Sequence, residues 1–196
     1  DGSSSVSYSG QTDRLNQLEE IKALLKTADN GTAVAAVDLL AMFANTGGNG
    51  NGNFSFTSSK QLKNKTIASA TAYFEALMVE VGANSGSATT ASNGTAGLMT
   101  RSSGSTILVD AQGREYTQLI EKGLMGATFY YQILDTYLTD ARVGDDVDNV
   151  TIEAGENYTE MEHHWDEAFG YFGAPVDFPV NITDKRFWAN YSNTVS

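Results

Sequence analysis

Apolar residues in this chain recur at helical spacing in several separate stretches, and polar, glycine-rich segments break the pattern between them. That alternation restricts the fold more than any other feature, because side chains at i, i+3, i+4 and i+7 share one face only in a helix. The clearest stripe is Ile67, Ala70, Phe74, Leu77, Met78 and Val81, which predicts a helix over about 64–82. Leu15, Leu18, Ile21 and Leu25 predict a first helix over 12–28, with Thr12 or Asp13 as its cap and Asp29-Asn30-Gly31 as its stop. A second helix is expected over about 32–45, carrying Val34, Val37, Leu40, Met42 and Phe43. The run Gly47–Gly52 then forbids regular structure, since ordering so many glycines is costly.

The longest stripe lies over about 114–141. It includes Leu119, Ile120, Leu124, Tyr130, Tyr131, Leu134, Tyr137 and Leu138, an arc wide enough for a central helix. Gly123 and Gly126 within it predict a close backbone crossing. Residues 83–105 read as a long surface loop, followed by a short strand at 106–110 closed by the turn Ala111-Gln112-Gly113. An acidic loop, 144–157, leads into a fifth helix ending at about 172 before Gly173-Ala174-Pro175. Asp184–Ser196 is expected to open a sixth. The expected fold is all-α: an antiparallel up-and-down helical bundle with long Gly/Ser-rich loops, as one domain over 1–196 behind a flexible leader, 1–11.

Composition narrows the function. The formal net charge of −12 disfavours nucleic acid and anionic lipid as partners and favours cations. There is no cysteine, hence no disulfide, thiolate metal site or cysteine nucleophile. The chain begins Asp1-Gly2-Ser3 rather than with Met, which reads as a mature N-terminus after export. Eight Asn-x-Ser/Thr sequons follow from a composition rich in Asn, Ser and Thr.

One segment carries a chemical signal, the helix around His163 and His164. Thr159 and Glu162 have the spacing of a capping box. Met161, Trp165, Ala168, Phe169 and Phe172 fall within roughly 80° on a helical wheel and are expected to face the core. Glu160, His164, Glu167 and Tyr171 run along one flank of that face, with His163 further outward. An imidazole and carboxylates at i, i+3 and i+4 are able to meet at one cation, as ligands do in helical bundles. Iron, zinc or manganese suits such donors. The metal candidates are therefore His164, Glu167, Glu160 and His163, completed from another helix by Glu121 or Gln118, or by the acids of 145–156. The same spacing also makes an ordinary surface ladder of ion pairs. Asp145-Asp146-Val147-Asp148-Asn149 offers oxygens for calcium but lacks the glycine and terminal glutamate of an EF-hand, so a solvated turn is the simpler reading. The pattern is not His-Glu-x-x-His, and no Gly-x-Ser-x-Gly elbow accompanies the histidines.

The stretches Glu121-Lys-Gly-Leu-Met-Gly-Ala127, continuing Phe-Tyr-Tyr-Gln132, and Tyr158–Pro175 resemble an uncharacterised family of bacterial lipoproteins from Bacteroidetes and marine bacteria. His164-Trp-Asp-Glu167 is also similar to the His-x-x-Glu of imelysins, iron-regulated helical-bundle proteins of the bacterial surface and periplasm, although Glu162 stands where imelysins have glycine. The resemblance implies an imelysin-like half and a periplasmic, outer-membrane-attached or extracellular location with contact to membrane only through a lipid anchor. It further implies binding of iron or a small metal complex in uptake and a second helical half as partner, with this chain expected to be the N-terminal half of a longer or cleaved protein. The alternative is a non-catalytic structural or interaction module of the cell surface or a filament, with His164 and Glu167 serving packing. A metallopeptidase-like activity is the minor reading.

Overall fold

The computed structural model describes residues 4–46 and 53–194. The chain is mostly helical. Among the described residues there are seven α-helices, α1 (Ser9–Asp29), α2 (Ala36–Ala44), α3 (Ala68–Asn84), α4 (Tyr116–Leu124), α5 (Asp140–Val143), α6 (Glu160–Phe172) and α7 (Phe187–Thr194). One hairpin accompanies them, β1 (Gly97–Thr100) and β2 (Thr106–Val109). No described helix is long and apolar enough to cross a membrane. The chain divides into two compact units, residues 16–124 and residues 1–15 with 125–196.

In the 16–124 unit, Leu18, Ile21 and Leu25 of α1 are buried together with Leu39 and Phe43 of α2 and Leu77, Met78 and Val81 of α3. The apolar periodicity of α1 and α3 thus marks their inner faces correctly. Helices α2 and α3 pack so closely that a Cβ on Gly82 would lie 2.7 Å from the Ala36 backbone nitrogen, so only glycine fits there. Asp29, at the end of α1, is buried and ties three elements together. Its carboxylate accepts hydrogen bonds from Leu108 N (2.9 Å) and Thr117 Oγ1 (2.9 Å) and pairs with Lys26 (3.1 Å).

The structure departs from the sequence pattern at several elements. Helix α1 starts at Ser9, so Thr12 and Asp13 lie inside it, and residues 9–11 of the expected leader are helical. Helix α2 is shorter than 32–45. Val37 is 68% exposed while Leu39 is fully buried, because the short helix presents one narrow face to α3. The span 64–82 opens with a 3₁₀ turn, Lys63–Lys65, before α3. Residues 83–105 are not structureless. Gly97–Thr100 pairs antiparallel with Thr106–Val109, in the register Gly97↔Val109 and Thr100↔Thr106. Only β2 carries an unbroken apolar run, Ile107-Leu108-Val109, and Met99 and Thr100 of β1 face solvent, so β1 carries little sequence signal. The expectation for Gly47–Gly52 falls outside the described residues.

The 114–141 helix is also corrected. Regular α-helix ends at Leu124, and Met125–Tyr130 and Gln132–Tyr137 are π-helical. The i→i+5 bond from Leu138 N to Ile133 O measures 2.8 Å. A π-helix winds through fewer degrees per residue than an α-helix, so a wheel drawn at α spacing drifts along it. Tyr130 (53%) and Leu134 (42%) consequently face solvent, whereas Phe129, Gln132 and Tyr137 are buried. Neither glycine marks a close backbone crossing. A Cβ on Gly123 would meet the Phe74 ring at 2.6 Å, and one on Gly126 would meet nothing within 4 Å.

The unit formed by 1–15 and 125–196 is built around Tyr171, which is fully buried. Phe129 stacks on it at 5.7 Å between centroids and Tyr137 at 6.0 Å. Phe187 of α7 reaches Phe129 at 5.4 Å, and the Trp188 indole N–H donates to Met125 O at 3.0 Å. Residues 174–186 turn back from α6 to α7 through a cis Phe178–Pro179 bond.

Candidate functional site

Helix α6 begins where its sequence requires. Thr159 Oγ1 accepts from Glu162 N at 3.3 Å, and Glu162 Oε2 accepts from Thr159 N at 2.9 Å, completing the capping box. It stops at Gly173, whose φ of +88° is left-handed. The face it buries differs from expectation. Ala168 is buried, but Trp165 is 54% and Phe169 38% exposed, while His164, Gly170 and Tyr171 are inside. The reason is local packing. Gly170 lets the segment around Tyr8 and Gln11 lie directly on α6, and the Tyr171 ring is held between Phe129 and Tyr137. Those contacts turn the His/Glu/Tyr flank inward.

The inward flank forms a polar cluster. His164 is 7% exposed, and its Nε2 lies 3.1 Å from Arg142 Nη1, on α5. A guanidinium only donates, so Nε2 accepts and the ring proton is assigned to Nδ1. Nδ1 faces Glu167 Oε2 at 3.5 Å, an electrostatic contact longer than a short hydrogen bond. Glu160 Oε1 stands 3.7 Å from Nε2. Glu167 Oε1 accepts a hydrogen bond from Gln11 Nε2 at 2.9 Å. Burial, followed by the Glu167 charge, pushes the Tyr137 hydroxyl up to about 12. Burial also raises Tyr171, with Arg14 acting against it.

His163 stands at the outer edge of this cluster, beside the Glu167 oxygen that faces His164 Nδ1. Its ring stacks on Tyr158 at 4.6 Å, and its Nε2 is 3.9 Å from Glu167 Oε2. Glu121 belongs to the other unit, where one oxygen meets Lys22 at 2.7 Å and the other meets Lys122 at 3.0 Å. Gln118 also lies there. In the acidic loop, Asp148 Oδ1 accepts from Val150 N (2.8 Å) and Thr151 N (2.9 Å), bonds that hold its carboxyl below the usual range, and Asn149 Oδ1 accepts from Thr159 Oγ1 (3.0 Å). That is the bonding of a turn.

Glu160 and Glu167 address different nitrogens of His164, so the three groups do not point at one centre. The Arg142 cation already sits on the nitrogen a metal would take. Among the described residues, no group of three or more His, Asp or Glu side chains is placed to hold an ion. As arranged, the cluster does not fit a resident metal. The partner of His164, Arg142, carries no sequence signal, because it falls between the helix expected over 114–141 and the acidic loop 144–157. Gln11 falls in the expected leader, 156 positions from Glu167, and Tyr137 reads as core; neither marks itself as a polar partner of α6 until the chain folds.

No curated protein matches the chain, and no solved structure does. A family model described as a domain of unknown function, DUF4856, matches residues 1–196. The chain therefore belongs to the DUF4856 family.

Proposed function

We propose that this protein is a non-catalytic interaction module acting outside the cytoplasm, in which the His164–Glu167 pair organises packing. The supporting observation is that both nitrogens of the His164 ring face groups of the chain itself, Arg142 on Nε2 and Glu167 on Nδ1. A histidine so placed joins α5 to α6. The resemblance to surface lipoproteins and the charge of −12 support an exported setting and a bundle-like arrangement.

A second reading is metal capture, iron foremost, by an imelysin-like protein in uptake. One observation favours it: Glu167 against Nδ1 is the orienting carboxylate seen behind metal-bound histidines, and Arg142 is an exposed side chain able to swing from Nε2. Thermal melting of the wild type and of His164→Ala, with and without iron(II), iron(III) and zinc, separates the two. The packing reading expects His164→Ala to lose about 2 kcal/mol, the low end for emptying a buried site, with no metal-dependent shift in either protein. A metal-induced rise in melting temperature that His164→Ala abolishes overturns it in favour of metal capture.

A further inference from the structure

The face of α6 that the sequence marks as most apolar is turned to solvent. Trp165 is 54% exposed and Phe169 38%, in line along the helix with half-exposed Met161. Beyond Phe169 the row runs into a groove of about 270 Å³ between α6, the 174–186 turn and α7, lined by Phe172, Ala174, Phe178 and Ala189 together with the polar Lys185, Ser192 and Asn193. An exposed indole in line with a mostly apolar groove marks an interaction site more often than scattered surface residues do.

Charge identifies the occupant. The unit formed by residues 1–15 and 125–196 holds fifteen acidic and four basic side chains, a formal −11, whereas residues 16–124 hold nine and eight, or −1. Nearly all the net charge therefore belongs to the unit that carries the apolar row. Exposed Glu160 and Glu162 accompany the row on α6 itself. A second copy would bring the same acidic surface to the interface, and an anionic membrane would be repelled in the same way.

We propose that the outward row of α6, from Met161 through Trp165 and Phe169 into the groove beside α7, docks a basic amphipathic helix of a partner protein. Apolar anchors of that helix fill the row and groove, while its Lys and Arg side chains meet the carboxylates and the Trp165 ring. This deepens the interaction-module reading and rests on it. Its test does not involve His164, so the two fail separately.

The probe is a labelled Leu/Lys peptide of about 18 residues, a helix of ~27 Å, patterned with one apolar face. Two controls match its length: a Leu/Glu peptide with the same apolar face, and a Lys/Ser peptide with none. Fluorescence anisotropy is read against the wild type, Trp165→Ser, Trp165→Ser/Phe169→Ser and, as a remote surface control, Val150→Ser, with circular dichroism confirming each fold. Saturable binding of the Leu/Lys peptide is expected, unchanged by Val150→Ser and weakened at least about tenfold by Trp165→Ser. The Leu/Glu peptide should not bind, and the Lys/Ser peptide should bind far more weakly. The proposal is overturned if Trp165→Ser and the double variant bind the Leu/Lys peptide like the wild type. It is equally overturned by no binding up to about 1 mM, by equal binding of the Leu/Glu peptide, or by a wild-type dimer that Trp165→Ser dissolves in sedimentation equilibrium.

Discussion

Gly170→Ala places a methyl group where the chain is most tightly packed against α6. The new Cβ would stand 2.7 Å from Tyr8 Cβ, 2.8 Å from Gln11 Cβ and 2.9 Å from Tyr8 Cγ. Carbon atoms prefer about 3.5–4.0 Å, so the neighbours must retreat by roughly 1 Å. Two of the three are β-carbons anchored to backbone, and no side-chain rotation moves them. The segment around Tyr8 must therefore lift from α6. That loosens the hydrogen bonds from Ser7 N to Asp166 Oδ2 (2.8 Å) and from Gln11 to Glu167 (2.9 Å). Overpacking costs about 1–3 kcal/mol and each weakened hydrogen bond up to about 1 kcal/mol. Against this, alanine gains about 1 kcal/mol of helix propensity over glycine. The net expectation is a loss of about 1–3 kcal/mol, read as a lower urea midpoint at unchanged slope. Gly126→Ala is the control, since its Cβ would meet nothing within 4 Å; it should be neutral or slightly stabilising. A Gly170→Ala protein as stable as the wild type, or more so, would refute the packing that turns His164 inward.

Asp110 offers a pH test. Burial works to raise its carboxyl, but hydrogen bonds from Arg114 N (2.8 Å), Arg114 Nε (2.6 Å) and Gln112 N (2.9 Å) outweigh it and hold the group below the usual carboxylate range. A depressed folded value means that the stabilisation is complete above the unfolded value of about 4 and disappears as pH falls through the folded one. Asp110→Asn should therefore lose about 1–2 kcal/mol at neutral pH, with the difference from wild type shrinking in melts run below about pH 4; a gap independent of pH would contradict this. Thr159→Ala removes the capping oxygen of α6 and should cost about 1 kcal/mol, measured by denaturation, with Thr159→Ser restoring most of it. An alanine variant with unchanged stability would show that Glu162 holds the helix start alone.

The parts of the fold that could be read from the sequence are those governed by neighbours along the chain. The capping box at Thr159 and the stop at Gly173 depend on atoms within a few residues, and both stand where the spacing places them. The stripes of α1 and α3 identify buried faces because no other side of those helices is apolar enough to compete. The 114–141 segment shows the opposite case. Its composition suits a helix, but the change from α to π winding has no pattern in the local sequence, so the expected inner face lost Tyr130 and Leu134 to solvent. The His164, Glu160 and Glu167 grouping was legible from i, i+3 and i+4 spacing, since helix geometry alone determines it. Arg142, Gln11 and Tyr137 were not, because each reaches the cluster only through tertiary contact.

By itself, the sequence determined a mainly helical chain, the start and end of α6, and which polar side chains share one flank of that helix. Local hydrogen bonding and helical periodicity operate within a few residues, so they survive without knowledge of the rest. Only the tertiary structure decided which flank of α6 turns inward. Two adjacent faces competed, one apolar and one polar. The glycine contact at residue 170 and the stacking of Tyr171 settled the orientation, leaving Trp165 outside and His164 against Arg142.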